Sequence, residues 1–461
     1  MTRAARSAAL FLSALLLGCG GAPLPAAPAA PAALAPLAPL NPPRAAAATP
    51  PGPPPRETHE TEAARKVREM LARVARARGL PVRHDVQSRI LDRDQILARI
   101  RAHVEKEIPR DVVEHEGELL AALELVPPDY DFVEGTYKLL QGRIAGFYEP
   151  GDQTMYLVDD LSDDEAAETL AHELDHALQD QAFQLGALLD FAPGEGDRTA
   201  AVHALAEGDA MSAMFDVMAG SAVSVDEGVL RRLLAASNAV SETSATTPHV
   251  LQESLIAPYA DGFAFVQRQR EKGGWPAVDA AWGARPTSTE QLLHPEKYAA
   301  REPPINVAVP TFAALGAGYR AVTDDVMGEQ SLRIVLAEWT GEAEAVRGAA
   351  GWGGDRYVVL RRDDGASNGE RAHTIAVGWR AVMDTDADAA ELAAILRRRF
   401  GAACRLRATT GPLLWQRRGR DVVIAAGPYE RRGTRAVKGT GTCADAARWA
   451  REMLEARGQA R

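Results

Sequence analysis

The sequence predicts an α+β protein, because two kinds of hydrophobic periodicity follow one another along the chain. Helical spacing of apolar residues dominates from about residue 57 to residue 304, with one short pair of candidate strands inside it. After Val309, short β-branched and aromatic segments alternate with helical ones. That alternation is typical of a separate, smaller α+β domain with an antiparallel sheet.

Size and composition narrow the class of protein. The 461 residues are enough for two or three domains, and 46% hydrophobic with 25% charged residues is the composition of a folded protein. The formal net charge of -11 argues against nucleic acid as a partner, because nucleic acid selects basic surfaces.

The N-terminal residues are expected to direct export. Arg3 and Arg6 precede the apolar run AALFLSALLLG, which is too short to span a bilayer as a helix. We therefore interpret residues 1–18 as a signal peptide. Residues 19–56 follow as a tether dominated by alanine and proline, a composition with too few large apolar side chains to form a core.

The LLGC sequence at residues 16–19 resembles the lipobox of bacterial lipoproteins. This resemblance implies cleavage before Cys19 and lipidation of its thiol, which would anchor the protein to a membrane of the cell envelope. Gly20 follows in place of the aspartate associated with the inner membrane, so the outer membrane is the expected location. The alternative is an unprocessed signal followed by a free cysteine.

The region at residues 57–304 begins with two predicted helices, over ETEAARKVREMLARVARARG and DRDQILARIRAHVEKEI. The segments IAGFYEP and TMYLVDD come next and predict a hairpin, since only GDQ separates them. Ser162 and Glu165 then have the spacing of a capping box, which predicts that a helix starts there. A further helix is expected from about Arg198 to Met218, and mixed helices and long loops over 223–304.

The region at residues 305–461 is expected to form the second domain, whose role the sequence does not indicate. Candidate strands are RYVVLRR, HTIAVGWRAV, PLLWQRR and DVVIAAG, with RRGR as a hairpin turn between the last two. Candidate helices are EQSLRIVLAEW, DADAAELAAILRRRF and CADAARWAREMLEARG. Cys404 and Cys443 either pair as a structural disulfide or stay separate thiols, because spacing alone does not decide this.

The sequence TLAHELDHALQDQ, residues 169–181, carries the strongest chemical signal in the chain. His172 and His176 are four residues apart, so on a helix they share a face and can direct their imidazoles at one metal ion. Glu173 lies about 100° further round the helix, where it suits a base acting on water beside the metal. The competing interpretation is a solvated helix with incidental histidines.

The opposite side of the same helix is apolar. Leu170, Leu174 and Leu178 form a stripe turned away from the histidines. A helix that packs on one side and presents histidines on the other is expected to lie beneath a cleft.

A zinc site needs a third protein ligand, and four acidic residues downstream are candidates. Glu195 and Asp197 fall in a predicted loop. Glu207 lies on the next helix, 31 positions after His176, and small neighbours there permit close approach of the two helices. We therefore choose Glu207, with Asp209 as the alternative. His203 is one turn before Glu207 on the same face, where a structural or a supporting role is open.

HELDHALQD with the downstream EGDA helix resembles the zincin metallopeptidases, and among them the thermolysin-like gluzincins. The resemblance implies a small sheet before the active-site helix and a helical lower part. It also implies that His172, His176 and Glu207 bind Zn²⁺ while Glu173 activates water. Asp180 falls where that group places a supporting aspartate. Met211 is a departure, because gluzincins carry an aspartate at that position.

Two further residues are candidates through the same resemblance. His294 and Tyr298, in STEQLLHPEKY, come after the metal helices, in the order in which related enzymes supply a hydrogen-bond donor to the developing oxyanion. A loop that merely packs over the domain is the alternative.

These features together predict an exported, lipid-anchored zinc metallopeptidase that hydrolyses peptide bonds in a peptide or protein substrate. The alternative is a non-catalytic binding or scaffold lipoprotein on a zincin fold, whose metal is structural or absent. An intact Glu173 favours the enzyme, because a purely structural site needs no base.

Overall fold

A computed structural model of the chain describes residues 56–107, 110–141, 144–190, 192–239, 247–367 and 370–455. The predicted signal peptide, Cys19 and the tether up to residue 55 lie outside these residues. Within the described part of the chain, no helix is long and apolar enough to cross a membrane.

The helices are, in chain order, α1 Arg56–Arg78, α2 Arg93–Glu107, α3 Arg110–Ala122, α4 Phe132–Gln141, α5 Asp163–Phe183, α6 Leu185–Leu189, α7 Gly196–Ala219, α8 Glu227–Ala239, α9 His249–Gly283, α10 Thr289–Leu293, α11 Pro295–Ala300, α12 Gly328–Trp339, α13 Glu342–Ala349, α14 Asp386–Phe400 and α15 Cys443–Glu455. The strands are β1 Gln87–Leu91, β2 Gly146–Glu149, β3 Thr154–Val158, β4 Arg320–Asp325, β5 Trp352–Ser367, β6 Glu370–Met383, β7 Arg405–Arg407, β8 Gly411–Arg418, β9 Asp421–Arg432 and β10 Arg435–Gly439. The protein is therefore α+β, as predicted.

A small sheet precedes α5, with strand order β1-β3-β2. The predicted hairpin is confirmed, because β2 and β3 pair antiparallel from Gly146 with Leu157 to Glu149 with Thr154. Every residue of β3 is buried, since apolar clusters cover both faces of the sheet. The sequence did not predict β1, a largely exposed and polar strand that pairs parallel to β3.

The predicted start of α5 is confirmed. The Ser162 hydroxyl accepts a hydrogen bond from the Glu165 backbone N–H, and the Glu165 carboxylate accepts one from the Ser162 backbone N–H. This reciprocal cap satisfies backbone donors that the first turn of a helix leaves without partners. The apolar stripe of Leu170, Leu174 and Leu178 packs in one core with residues of α1, α7 and α9. Helix α5 also contacts α7 along much of its length.

Helices α7 and α9 approach each other very closely. A Cβ on Gly262 would lie 1.8 Å from the Ala204 carbonyl oxygen, and one on Gly208 would lie 2.1 Å from the Gly262 backbone. Only glycine at both positions permits this crossing. The region after residue 223 is more helical than expected, because α9 continues through Pro258 and Pro276 and bends at Gly273 and Gly274.

The C-terminal region contains a seven-stranded antiparallel sheet, as predicted, in which the order is β4-β5-β6-β9-β8-β7 and β10 pairs with β9. The four predicted strands correspond to β5, β6, β8 and β9, and the RRGR turn joins β8 to β9. Helix α14 covers one face and α15 the other. Cys404 and Cys443 form a disulfide with 5.7 Å between their Cα atoms.

One apolar core crosses the predicted boundary between residues 304 and 305. Leu120 of α3 and Val377 of β6 belong to the same buried cluster. Polar contacts also cross it: Glu118 lies 3.7 Å from Arg431, and Arg407 donates to the Ala122 carbonyl oxygen at 2.9 Å. The early helices therefore pack against the C-terminal sheet, while the division into two domains stays a prediction.

Candidate metal centre

Helices α5 and α7 lie side by side and bring three predicted ligands together. The Nε2 atom of His172 is 3.0 Å from Oε2 of Glu207, and Nε2 of His176 is 3.6 Å from the same oxygen. The two Nε2 atoms are 3.2 Å apart. All three side chains are buried.

These separations fit a tetrahedral metal ion. Ligand atoms about 2.0–2.1 Å from a tetrahedral zinc ion lie roughly 3.3 Å from one another. The three candidate ligand atoms, two imidazole nitrogens and one carboxylate oxygen, are separated by similar distances. The donor set is one that zinc accepts in catalytic sites.

Gln179 orients the ring of His176. Its amide nitrogen donates to Oδ2 of Asp175 at 2.7 Å and to the Ala206 carbonyl oxygen at 3.0 Å. Its amide oxygen therefore faces Nδ1 of His176, at 3.0 Å, and accepts the proton there. Nε2 of His176 is therefore the nitrogen that faces the cluster, and it can bind a metal ion once its own proton is lost.

His203 holds the other oxygen of Glu207. Its Nε2 atom lies 2.9 Å from Oε1 of Glu207, one helical turn away on α7. Nδ1 of His203 is buried and has no hydrogen-bond partner among the described residues. Glu207 is thus held from one side, so that Oε2 faces His172 and His176.

The charges of the cluster favour a cation at its centre. Burial alone would raise the pKa of Glu207, but His176 and hydrogen bonds from the surrounding histidines hold it well below its usual range. Burial alone would lower the pKa of His176, but the Glu207 carboxylate raises it to about 10. The carboxylate therefore stabilises positive charge here, which is the electrostatic condition for binding a divalent cation.

Glu173 lies beside the three ligands without being one of them. Its Oε2 atom accepts a hydrogen bond from the Tyr148 backbone N–H at 3.0 Å, and the side chain is 1% exposed. Burial raises the pKa of Glu173, and the neighbouring His176 and His172 oppose that shift. The contact with Tyr148 connects this carboxylate to β2, one of the two edge strands of the small sheet.

The structure gives the alternative third ligands other partners. Asp209 accepts two hydrogen bonds from the buried Arg78 and one from Trp282 Nε1 at 2.7 Å. Asp197 accepts from the backbone and the hydroxyl of Thr289. Glu207, not Asp209, therefore belongs to the three-residue cluster.

His294 and Tyr298 also have partners away from the cluster. Nε2 of His294 lies 2.8 Å from Glu329, and the Tyr298 hydroxyl donates to the Ala284 carbonyl oxygen at 2.8 Å. Neither makes a described contact with the three ligands, so a catalytic role for them stays a prediction.

Asp180 does not contact a ligand histidine in the described structure. It accepts hydrogen bonds from the Tyr148 hydroxyl at 3.2 Å and from the Gly186 backbone at 3.1 Å. Asp180 therefore contacts the site indirectly, because it binds the hydroxyl of Tyr148 and the backbone N–H of Tyr148 donates to Glu173.

Sequence reasoning missed Tyr259. This residue of α9 stacks its ring on His172, with 5.8 Å between the ring centroids and 30° between the planes. It lies 83 positions after His176, and no local motif marks it. Only the crossing of α9 over α7 brings it to the cluster.

Comparisons with known proteins leave the cluster unassigned. A family model described as a domain of unknown function, DUF8575, matches residues 316–437. That span lies in the C-terminal sheet region and does not include the three ligands. No curated protein and no solved structure matches the chain.

Proposed function

We propose that this chain is a zinc-dependent peptide hydrolase of the zincin type, with His172, His176 and Glu207 as the metal ligands. The proposal depends above all on the three buried ligand atoms, which lie about as far apart as the ligands of one tetrahedral zinc ion. The hydrogen bonds of Gln179 and His203 support it, because they orient a ligand ring and a ligand carboxylate.

The order of elements supports the zincin part of the proposal. A small sheet comes before the helix with the paired histidines, and the third ligand follows on α7. Strand β2 is the edge of that sheet nearest Glu173, so it is the strand we expect to pair with an extended substrate.

The residues divide the chemistry among them. Zinc, when bound, supplies Lewis-acid polarisation of a carbonyl and makes water more acidic. Glu173 takes the proton from the attacking water and passes it to the leaving amine. Burial favours this task, because it raises the pKa of the carboxyl group above its ordinary value.

The burial of the site favours a second candidate, a non-catalytic envelope protein with a structural metal. His172, Glu173, His176 and Glu207 are each no more than 4% exposed, and catalytic metals need a position open to water and substrate. On this alternative, Glu173 serves only to accept the Tyr148 N–H.

Metal content and hydrolysis, measured together, separate the two candidates. The full chain is purified, its zinc is quantified, and cleavage of an unfolded protein substrate is followed for the native chain and Glu173→Gln. Glu168→Gln makes the same chemical change on α5 outside the cluster and is the matched control. We expect one zinc per chain in all three proteins, and loss of hydrolysis by about 100-fold or more only in Glu173→Gln.

Two results would contradict the enzyme. Stoichiometric zinc with equal activity, or equal inactivity, in the native chain and Glu173→Gln would favour the structural metal. A native chain without zinc would reject the metal centre itself.

We propose also that the protein is exported and attached to the outer membrane through lipidated Cys19. The lipobox resemblance and the following alanine- and proline-rich residues support this. Incorporation of labelled palmitate into the native chain, and its loss in Cys19→Ser, is the expected result. Equal labelling of both proteins would reject it.

A further inference from the structure

A groove of about 960 Å³ lies between α14 and β8, on the C-terminal sheet. Its helix side presents the exposed residues Ala390, Ala394 and Arg397, and its strand side begins at Trp415. The indole of Trp415 donates to the Gly401 carbonyl oxygen at 2.8 Å and closes one end. None of these residues belongs to the candidate metal centre.

The floor of the groove is an open sheet edge. Strand β7 is short and pairs with β8 only over residues 411–413. Beyond Leu413, β8 pairs with β9 on one side, and no other strand lies on its outer side among the described residues. Residues 414–418 therefore form an edge about 17 Å long, at roughly 3.3 Å per residue.

The register identifies which backbone groups face the groove. Arg418 and Asp421 flank the two-residue turn and form a hydrogen-bonded pair. Because such pairs alternate along antiparallel strands, Trp415 and Arg417 direct their backbone N–H and C=O groups away from β9. Two residues thus offer donors and acceptors to an added strand.

Helix α14, which also covers one face of the sheet, borders the groove on the side opposite β8. Arg417 donates to the carbonyl oxygen of Asp386 at one end, and Trp415 reaches Gly401 at the other. The helix from Asp386 to Arg398 is about 18 Å long at 1.5 Å per residue, similar to the open edge. The side chains of Ala390 and Ala394 are small, so α14 takes up little of the groove.

The groove is basic although the protein is acidic. Its lining contains three arginines, Arg397, Arg398 and Arg417, against one aspartate, Asp386, while the chain has a net charge of -11. Arg398 pairs with Glu344, and Arg417 lies 3.7 Å from Asp386. Arg397 is thus the lining arginine that has no ion-pair partner among the described residues. This charge favours an acidic occupant.

We propose that this groove binds an extended acidic peptide, which adds as a strand to the open edge of β8. Backbone hydrogen bonds to Trp415 and Arg417 hold the peptide, and Arg397 attracts its carboxylates. The chain's own residues 19–55 fit less well, because they contain no acidic residue and many prolines, which lack the N–H. A second copy would bring like arginines together.

Binding of a defined peptide to the full chain tests the proposal. The probe is a fluorescein-labelled eight-residue peptide of alternating glutamate and valine, followed by fluorescence anisotropy. If the peptide shifts by one residue along β8, its glutamate and valine faces exchange places. It can therefore direct either its glutamates or its valines toward α14. A peptide of the same sequence, N-methylated at alternate residues, keeps the charge and loses backbone donors.

We expect saturable binding of the acidic peptide that is weakened about tenfold or more by N-methylation, because strand addition depends on main-chain hydrogen bonds. Arg397→Glu is expected to weaken it by a similar factor. Arg451→Glu, an equal charge change at an exposed position of α15, is expected to change affinity less than about twofold and is the matched control.

Four results would overturn the proposal. Equal affinity for the methylated peptide would indicate charge attraction without strand addition. Equal weakening by Arg451→Glu, or equal binding of a lysine–valine peptide, would indicate non-specific binding. A doubled mass by light scattering, together with no binding of the peptide, would indicate that β8 of a second copy occupies the edge. This test uses no metal and no hydrolysis, so its outcome is independent of the proposed peptidase.

Discussion

Two of the three proposed metal ligands depend on a neighbour that fixes which atom faces the cluster. His176 presents Nε2 because Gln179 accepts the proton on Nδ1. Glu207 presents Oε2 because His203 binds Oε1. At the residue scale, Gln179 and His203 are therefore the positions at which a substitution should weaken metal binding without removing a proposed ligand.

His203→Ala is expected to weaken zinc binding by about 10–100-fold, because Glu207 then loses the contact that holds Oε1. His203→Gln retains a hydrogen-bond donor and is expected to recover much of the affinity. Competition with a chelating indicator measures both. Equal weakening in the two variants would mean that His203 only fills space.

Asp325 is expected to make stability depend on pH. Burial raises its pKa to about 8, although the backbone N–H groups of Gly196 and Val326 donate to its Oδ1 atom. The folded protein thus holds this proton more tightly than the unfolded chain, whose aspartates titrate near pH ~3.9. The stability that this group contributes is present below about pH 4 and is lost as the pH rises toward about 8.

Asp325→Asn should therefore flatten the pH dependence of the free energy of unfolding between pH 5 and 8, where the native slope is on the order of 1 kcal/mol per pH unit from this group. Urea unfolding at several pH values measures it, with the exposed Asp164→Asn as control. An unchanged slope in Asp325→Asn would contradict the buried, protonated state.

At the scale of elements, the crossing of α7 and α9 has the most influence on the site. Gly208 is the residue next to Glu207, and Tyr259 lies three residues before Gly262. The close approach of the two backbones thus brings the proposed ligand Glu207 and the Tyr259 ring to the cluster together.

Gly262→Ala is expected to lower the free energy of unfolding by about 1–3 kcal/mol or more, because the added methyl group meets the Ala204 carbonyl oxygen and the helices must separate. Gly283→Ala, also on α9, adds a methyl group with no atom within 4 Å and should be neutral or slightly stabilising. Thermal and urea unfolding compare them. Equal stability of the two variants would mean that the crossing adapts freely.

At the scale of the whole molecule, the C-terminal sheet contributes one of its faces to the apolar core that also contains the early helices. Its face beneath α14 shares one apolar cluster with α2, α3 and α4. Its other face packs against α15, and the Cys404–Cys443 disulfide links the first residue of α15 to the residue before β7.

Loss of this disulfide is expected to destabilise the protein by up to about 4 kcal/mol, the loop-closure value for two cysteines 39 positions apart. Urea unfolding of the native chain and of the Cys404→Ala, Cys443→Ala double variant measures the difference. The native chain under reducing conditions should match the double variant. No difference between oxidised and reduced protein would contradict the bond.

The sequence by itself determined the local features: the face shared by His172 and His176, the Ser162 cap, the β2–β3 hairpin and most C-terminal elements. Each depends on residues only a few positions apart, whose spacing sets their geometry. It left the third ligand as Glu207 or Asp209, and the cysteine pairing open. Tyr259, β1 and the groove beside β8 had no local signal.

Only the tertiary structure decided these points, because they depend on which distant surfaces pack together. Asp209 is separated from the histidines by its bonds to Arg78 and Trp282, while Glu207 faces them across the contact between α5 and α7. Two positions along a helix differ by about 200°, so packing that selects one of them excludes the other. Contacts between residues this far apart in the chain leave no periodic pattern in a single sequence.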